Sequence, residues 1–158
     1  MNKFEIDEEG NKFWKNEKGE YHREDGPAKE YTNGNKVWYK NGLLHREDGP
    51  ALETINGDKG WYINGKCHRI DGPAIEFAYG DKEWWLNNKR HRLDGPAIEY
   101  FNGDKWWYKN GKLHREDGPA VDLICGPKWW YRNGKENRTT TTGPKSTISY
   151  KVYLKYFG

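Results

Sequence analysis

The sequence predicts an all-β protein, an elongated single-layer solenoid of stacked antiparallel β-hairpins with a 23-residue repeat. Three observations carry that expectation. The stretch HREDGPA at 22–28 recurs with small changes at His45, His68, His91 and His114. With His as position 1, each unit holds two turn signals, mostly Asn-Gly, at positions 12–13 and 20–21, and these residues supply the positive φ that tight hairpins need. The runs between turns, such as AIEY at 97–100 and KWWYK at 105–109, are rich in Ile, Tyr and Trp and read as strands of four to six residues. No window holds a helical period longer than two turns, and fixed-period self-similarity of this kind outranks other fold signals.

Composition narrows the class further. The chain has 158 residues, enough for one domain, but only 34% are hydrophobic while 16% are aromatic, with nine Trp and eleven Tyr. A large aliphatic core is excluded, and so is disorder, because disordered chains are poor in aromatics. The net charge of +3 arises from interleaved signs, so long-range attraction to nucleic acid or anionic lipid is weak. Cys67 and Cys125 form neither a disulfide framework nor a zinc signature, and reduced thiols are expected. No run approaches the ~20 apolar residues of a membrane span, and MNKFEIDEEGNKFW lacks a signal peptide's apolar stretch. A soluble cytoplasmic protein is expected.

The organisation reads as one continuous domain in three parts. Residues 1–21 are an imperfect repeat and cap, with Trp14 and Gly19 in FWKNEKGEY and one extra residue. Residues 22–136 are five 23-residue hairpin repeats. Residues 137–158 are a linker and a closing strand, STISYKVYLKYFG, in which Ile148, Tyr150, Val152, Leu154 and Tyr156 alternate with mostly polar neighbours. A closing strand covers the edge that would otherwise template aggregation. KFEI, with Phe4 and Ile6, is a weaker candidate for the opposite cap.

The period and the stretch Trp107-Tyr108-Lys109-Asn110-Gly111-Lys112-Leu113-His114 resemble the membrane occupation and recognition nexus (MORN) repeat. Its units are β-hairpins stacked into an elongated sheet, and the resemblance implies that fold here over about five of six units. Where that family commonly has Gly-x-Gly after the histidine position, this chain has Arg-x-Asp-Gly-Pro, so lipid binding does not carry over. The HREDGPA form is similar to uncharacterised repeat proteins of bacteriophages, large viruses and bacteria. A looser similarity is to the Trp- and Tyr-rich hairpin repeats of choline- and glucan-binding modules, which lack the His-Arg-x-Asp-Gly-Pro element.

The repeated residues read as architecture. His22, His45, His68, His91 and His114 recur roughly 10 Å apart if each repeat adds two strands, whereas the ligands of one zinc ion sit within about 2 Å of it. They are read as a structural ladder, and no metal or cofactor is expected. Arg at position 2 and Asp at position 4 share a face of an extended segment and pair, while Asp before Gly-Pro also suits an Asx-type turn. Trp38, Trp61, Trp84, Trp107 and Trp130 at position 17 read as the hydrophobic spine, with Tyr39, Tyr62, Trp85, Tyr108 and Tyr131 on the opposite face. Enzyme chemistry has little to use, because the only serines, Ser146 and Ser149, lie in the proposed capping strand and every unit repeats the same carboxylates.

Binding information lies where the copies differ. If Asn-Gly at 20–21 is a two-residue turn, position 19 pairs with 22, 17 with the next His, and 15 with the next position 3. Positions 3, 17, 19 and His then share a face, on which outer units carry Glu24, Glu47 and Glu116 with Lys40, Lys109 and Arg132. Central units change together to Ile70 and Leu93 with Ile63 and Leu86, beside Trp61, Trp84 and Trp107. This cluster is the candidate partner-binding surface, since an apolar and aromatic patch with a charged rim suits a protein interface. Trp106 and Trp129 form a secondary aromatic patch, either a stacking platform for bases or sugars or a thickened core, with the core favoured. The expected function is a non-enzymatic binding protein, a phage or mobile-element accessory that inhibits or sequesters a host protein. The alternative is a repeat module that binds a small sugar, cationic or nucleotide-like ligand through its Trp and Tyr columns.

Overall fold

The structure, a computed structural model, describes residues 3–137. The proposed closing strand at 146–158 lies outside the described residues. Among them there is no helix, and the chain is the elongated all-β solenoid of hairpins that the repeat implies.

Residues 91–113 show how one unit is built. Ile98–Glu99 and Lys105–Trp106 pair antiparallel, and Tyr108–Lys109 then pairs with Lys112–Leu113. The first pair joins equivalent pairs from its neighbours in a continuous twelve-stranded antiparallel sheet, opened by Lys3–Ile6 and Lys12–Lys15. The second pair stands in a row of five small hairpins alongside that sheet. Strands beyond the first two are therefore two residues long, shorter than the run lengths suggest. The reason lies at position 17: Trp107 donates its N–H to Ala120 and accepts from His114 N–H, so KWWYK is divided between the sheet and the hairpin row.

The two turns of each unit share a sequence signal and differ in form. At positions 20–21 both residues have positive φ, as at Asn110 (53°) and Gly111 (79°), which is the geometry of a two-residue type I′ hairpin. At positions 11–13 of the first four units only the glycine does, as at Gly103 (92°), while Gly103 N–H and Tyr100 O close a longer loop; Gly126 of the fifth unit, which precedes Pro127, does not take a positive φ. Position 14 ties successive loops together. Asn35, Asp58, Asp81 and Asp104 accept the N–H of Ile55, Ala78, Phe101 and Ile124 in the next unit at 2.7–2.8 Å, and Asn11 does the same for Thr32 at 2.9 Å.

Pairing gives the sheet two unlike faces. On one, positions 9 and 15 alternate in charge across every neighbouring strand: Lys12, Glu30, Lys36, Glu53, Lys59, Glu76, Lys82, Glu99, Lys105, Asp122, Lys128. Opposite charges directly across a ladder favour this register, and a slip would place like charges face to face. Position 15 thus pairs with position 9 on both sides, not with the next position 3, because the chain leaves the sheet at position 17.

The other face carries positions 8 and 16 and meets positions 18 and 23 of the hairpin row. The alanines at position 7, from Ala28 to Ala120, are fully buried, as are Ile98 and Val121. Trp106 and Trp129 join a core cluster with Leu113, Leu123 and Tyr131, which excludes them as a surface stacking platform. The spine is thus built from positions 7, 8, 16, 18 and 23, whereas the position-17 tryptophans are half-buried. Filling is uneven along the axis, since position 16 is Val37, Gly60 and Glu83 before it becomes Trp. Replacing Ile98 by Ala should cost about 2–5 kcal/mol in urea denaturation, and Ile75→Ala at the half-buried equivalent site in the preceding unit should cost less.

Candidate functional site

The loop HRxDGP decides what each repeat presents to solvent. Arg69 stands over Trp61 with Cζ 4.0 Å from the ring centroid, Nε donates to Asp71 Oδ1 at 2.9 Å, and Nη1 donates to Pro73 O at 3.2 Å and Glu76 Oε1 at 3.1 Å. Arg23, Arg46 and Arg92 repeat this arrangement over Trp14, Trp38 and Trp84. Arg115 repeats it over Trp107 without the position-9 contact, because the shorter Asp122 turns to Lys128. A half-buried guanidinium is thus met by carboxylates, a carbonyl and an aromatic face, the combination that offsets its desolvation. The Asp does its work with Arg Nε rather than as an Asx turn. The Gly after it leaves space for the guanidinium, since a Cβ at Gly72 would sit 3.0 Å from Arg69 Cζ.

Each histidine bonds to a neighbouring hairpin. Nδ1 of His22, His45, His68, His91 and His114 accepts the N–H of Asn41, Asn64, Asn87, Asn110 and Asn133 at 3.1–3.3 Å. In three units Nε2 faces the position-3 glutamate, at 3.8 Å for Glu24, 3.3 Å for Glu47 and 3.1 Å for Glu116. Among the described residues no group of three or more His, Cys, Asp or Glu is placed to hold a metal ion.

Between successive HRxDGP loops the surface opens into clefts bordered by the position-17 tryptophans. The one between Arg23–Pro27 and His45–Asp48 has a volume of about 840 Å³, with Trp38 and Lys40 in its wall. Trp61, Ile63, His68 and Ile70 line another of about 440 Å³, and Leu93 lines a third of about 490 Å³ with Trp107 and Lys109. Ile70 and Leu93 are 85% and 77% exposed on the loop crests, while Ile63 and Leu86 are half-buried in the hairpin row. Trp84 lies under Arg92. The aliphatic replacements at position 3 therefore face solvent where the other units present Glu24, Glu47 and Glu116.

A second irregularity shares the unit of Ile70. Glu83, at a position otherwise apolar, accepts from Trp85 Nε1 at 2.8 Å and from Arg90 Nε at 3.3 Å, and Arg90 lies over Trp85 and Tyr108. Glu83 and Arg90 depart from the repeat pattern in one unit, and that joint departure was a signal available to comparison of the copies. Burial pushes the Tyr100 hydroxyl up to about 12, against the opposing Arg90 charge, and burial together with Glu83 pushes the Cys67 thiol up to about 12. Neither is activated for nucleophilic chemistry at neutral pH.

No family model matches the chain, and no curated protein matches it.

The five exposed aspartates of these loops, Asp25, Asp48, Asp71, Asp94 and Asp117, are held below the usual carboxylate range by hydrogen bonds from their arginines. A lowered folded value contributes stability that is complete above the unfolded value, about 3.9, and is lost as pH falls through the folded one. Replacing Arg69 by Met should move the Asp71 carboxyl titration upward in a carbon-detected NMR experiment. The deficit in stability should be largest near neutral pH and narrow in acid; an unmoved Asp71 titration contradicts the clamp.

Proposed function

We propose that this chain is a non-enzymatic binding protein, an accessory of a phage or mobile element that binds a host defence protein in the host cytoplasm and inhibits or sequesters it. The observation that carries the reading is the exposure of Ile70 and Leu93 at 85% and 77% on adjacent loop crests, where three other units present glutamate. A repeat scaffold has no structural use for solvent-facing Ile and Leu at a position its own copies fill with charge. A partner that buries them has one, since each fully buried aliphatic side chain contributes ~1.5–3 kcal/mol. Exposed Asp48, Asp71, Asp94 and Asp117 with Glu47 and Glu116 supply the polar rim typical of a protein interface. The phage setting follows the resemblance of the HREDGPA units.

A small ligand held in the Trp-bordered clefts is the second reading, favoured by the cleft of about 840 Å³ beside Trp38. The two separate by location at that cleft, which neither Ile70 nor Leu93 lines.

Replacing Ile70 and Leu93 together by Glu copies the protein's own loop sequence onto its two odd units. Melting temperature should stay within a few degrees, and affinity for a protein recovered stoichiometrically from bacterial lysate should fall at least tenfold, about 1.4 kcal/mol. Unfolding of the double variant, or undiminished capture, overturns the assignment. A thermal shift with small sugars or nucleotides, with no protein recovered, favours the cleft ligand instead.

A further inference from the structure

The edge formed by the position 11–13 turns is unlike the rest of the surface. These five tips read Thr32-Asn33-Gly34, Ile55-Asn56-Gly57, Ala78-Tyr79-Gly80, Phe101-Asn102-Gly103 and Ile124-Cys125-Gly126. None of the fifteen residues is charged, in a chain of which 32% is. Four of them are large, apolar and open to solvent: Ile55 at 67%, Tyr79 at 60%, Phe101 at 76% and Ile124 at 67%. A contiguous row of exposed large apolar residues is uncommon on a protein surface and marks a site of interaction. The sheet's Glu–Lys face and the HRxDGP loops both carry charge in every unit, whereas on this edge charge is confined to Glu8 and Glu9 in the turn of the N-terminal imperfect unit.

Part of the tip backbone is already satisfied. The N–H groups of Ile55, Ala78, Phe101 and Ile124 are accepted by position 14 of the preceding unit. Covering the row therefore strands none of these donors and removes apolar surface from water.

The order of the exposed residues points to the occupant. Along the axis it runs Ile55, Tyr79, Phe101, Ile124, aliphatic at the ends and aromatic in the middle. Such a row reads the same in both directions. Turned about a two-fold axis between the third and fourth units, it meets itself with aliphatic on aliphatic and aromatic on aromatic, the self-complementarity of an isologous interface. We propose that this edge is the contact surface of a two-fold dimer in which two antiparallel copies of the chain pack tip to tip. Tyr79 of one copy then lies against Phe101 of the other, and Ile55 against Ile124.

The size of the edge sets the strength of association. The four tips that overlap across this axis, at about 10 Å per repeat, give a length of roughly 40 Å, and a width of about 10 Å offers on the order of 400 Å² per copy, below the range of stable interfaces. A reversible, concentration-dependent dimer follows. Because the overlapping tips lack charge, their association should be nearly independent of salt.

Sedimentation equilibrium over a concentration series into the high micromolar range tests this. The wild type should shift from monomer to dimer equally at low and high salt. Phe101→Asp should weaken association at least tenfold with melting temperature unchanged within a few degrees, since the side chain is exposed. The Ile70→Glu, Leu93→Glu variant should associate like the wild type. Orientation is read from thiols. In the antiparallel pair Asn56 faces the partner copy's Cys125, so Asn56→Cys should form a disulfide-linked dimer under mild oxidation while the wild type does not, Cys67 being buried. A chain monomeric throughout, a dimer indifferent to Phe101→Asp, a dimer lost in the Ile70, Leu93 variant, or a wild-type Cys125–Cys125 disulfide each overturns the proposal.

Discussion

The stacking of a position-2 arginine on the position-17 tryptophan of the preceding hairpin is the contact on which the solenoid depends. It recurs in every unit with the ring centroid about 4 Å from the guanidinium carbon. One side chain thereby joins the loop that carries it, through Asp and the Pro carbonyl, to the hairpin before it. In four units it also reaches the sheet through Glu at position 9. A chain poor in aliphatic residues needs such a joint. Its tryptophans become partly buried by being covered with a cation whose own charge is met by carboxylates, so apolar area and ion pairing are obtained from the same atoms.

That joint explains how the units tolerate variation elsewhere. Interfaces between repeats are fixed by Arg–Trp stacking, by the His Nδ1 bond to the next turn, by the position-14 bond between loops and by the alternating Glu–Lys ladder. The inner positions are then free to differ. The first units place Lys29, Leu52, Gly60 and Glu83 along the face that the last units fill with Ile98, Trp106, Val121 and Trp129. Glu83 is accommodated because Trp85 and Arg90 both reach it, an ion pair that lies deep enough to require those partners.

The three surfaces of the repeat differ in kind. The outer face of the sheet is neutralised residue by residue and is poorly suited to strong attraction of either sign. The HRxDGP loops hold their arginines inward and their aspartates outward, with Ile70 and Leu93 as the aliphatic exceptions. The position 11–13 tips have no charge. Two opposite margins thus stand out as candidates for interaction, one defined by where copies disagree and the other by the charge that its five repeat tips lack.

Much of this could be read from residues alone, because a 23-residue period makes local errors repeat and hence visible. The all-β class, the hairpin at Asn-Gly 20–21 and the Arg–Asp pairing follow from turn chemistry and from residues two apart in an extended segment. The aliphatic pair Ile70 and Leu93 was legible as a departure among copies. What needed the tertiary structure is everything that depends on which unit a side chain reaches. Asn-Gly at 12–13 and at 20–21 are the same dipeptide, yet only the second becomes a two-residue turn, because the first must present position 14 to the next loop. Trp106 and Trp107 are adjacent and identical in chemistry, yet the bend at position 17 turns one into the core and leaves the other under an arginine. Sequence determined which residues repeat, and therefore the kind of fold; the contacts between neighbouring repeats decided which face each aromatic takes, since burial is set by a surface that no single unit contains.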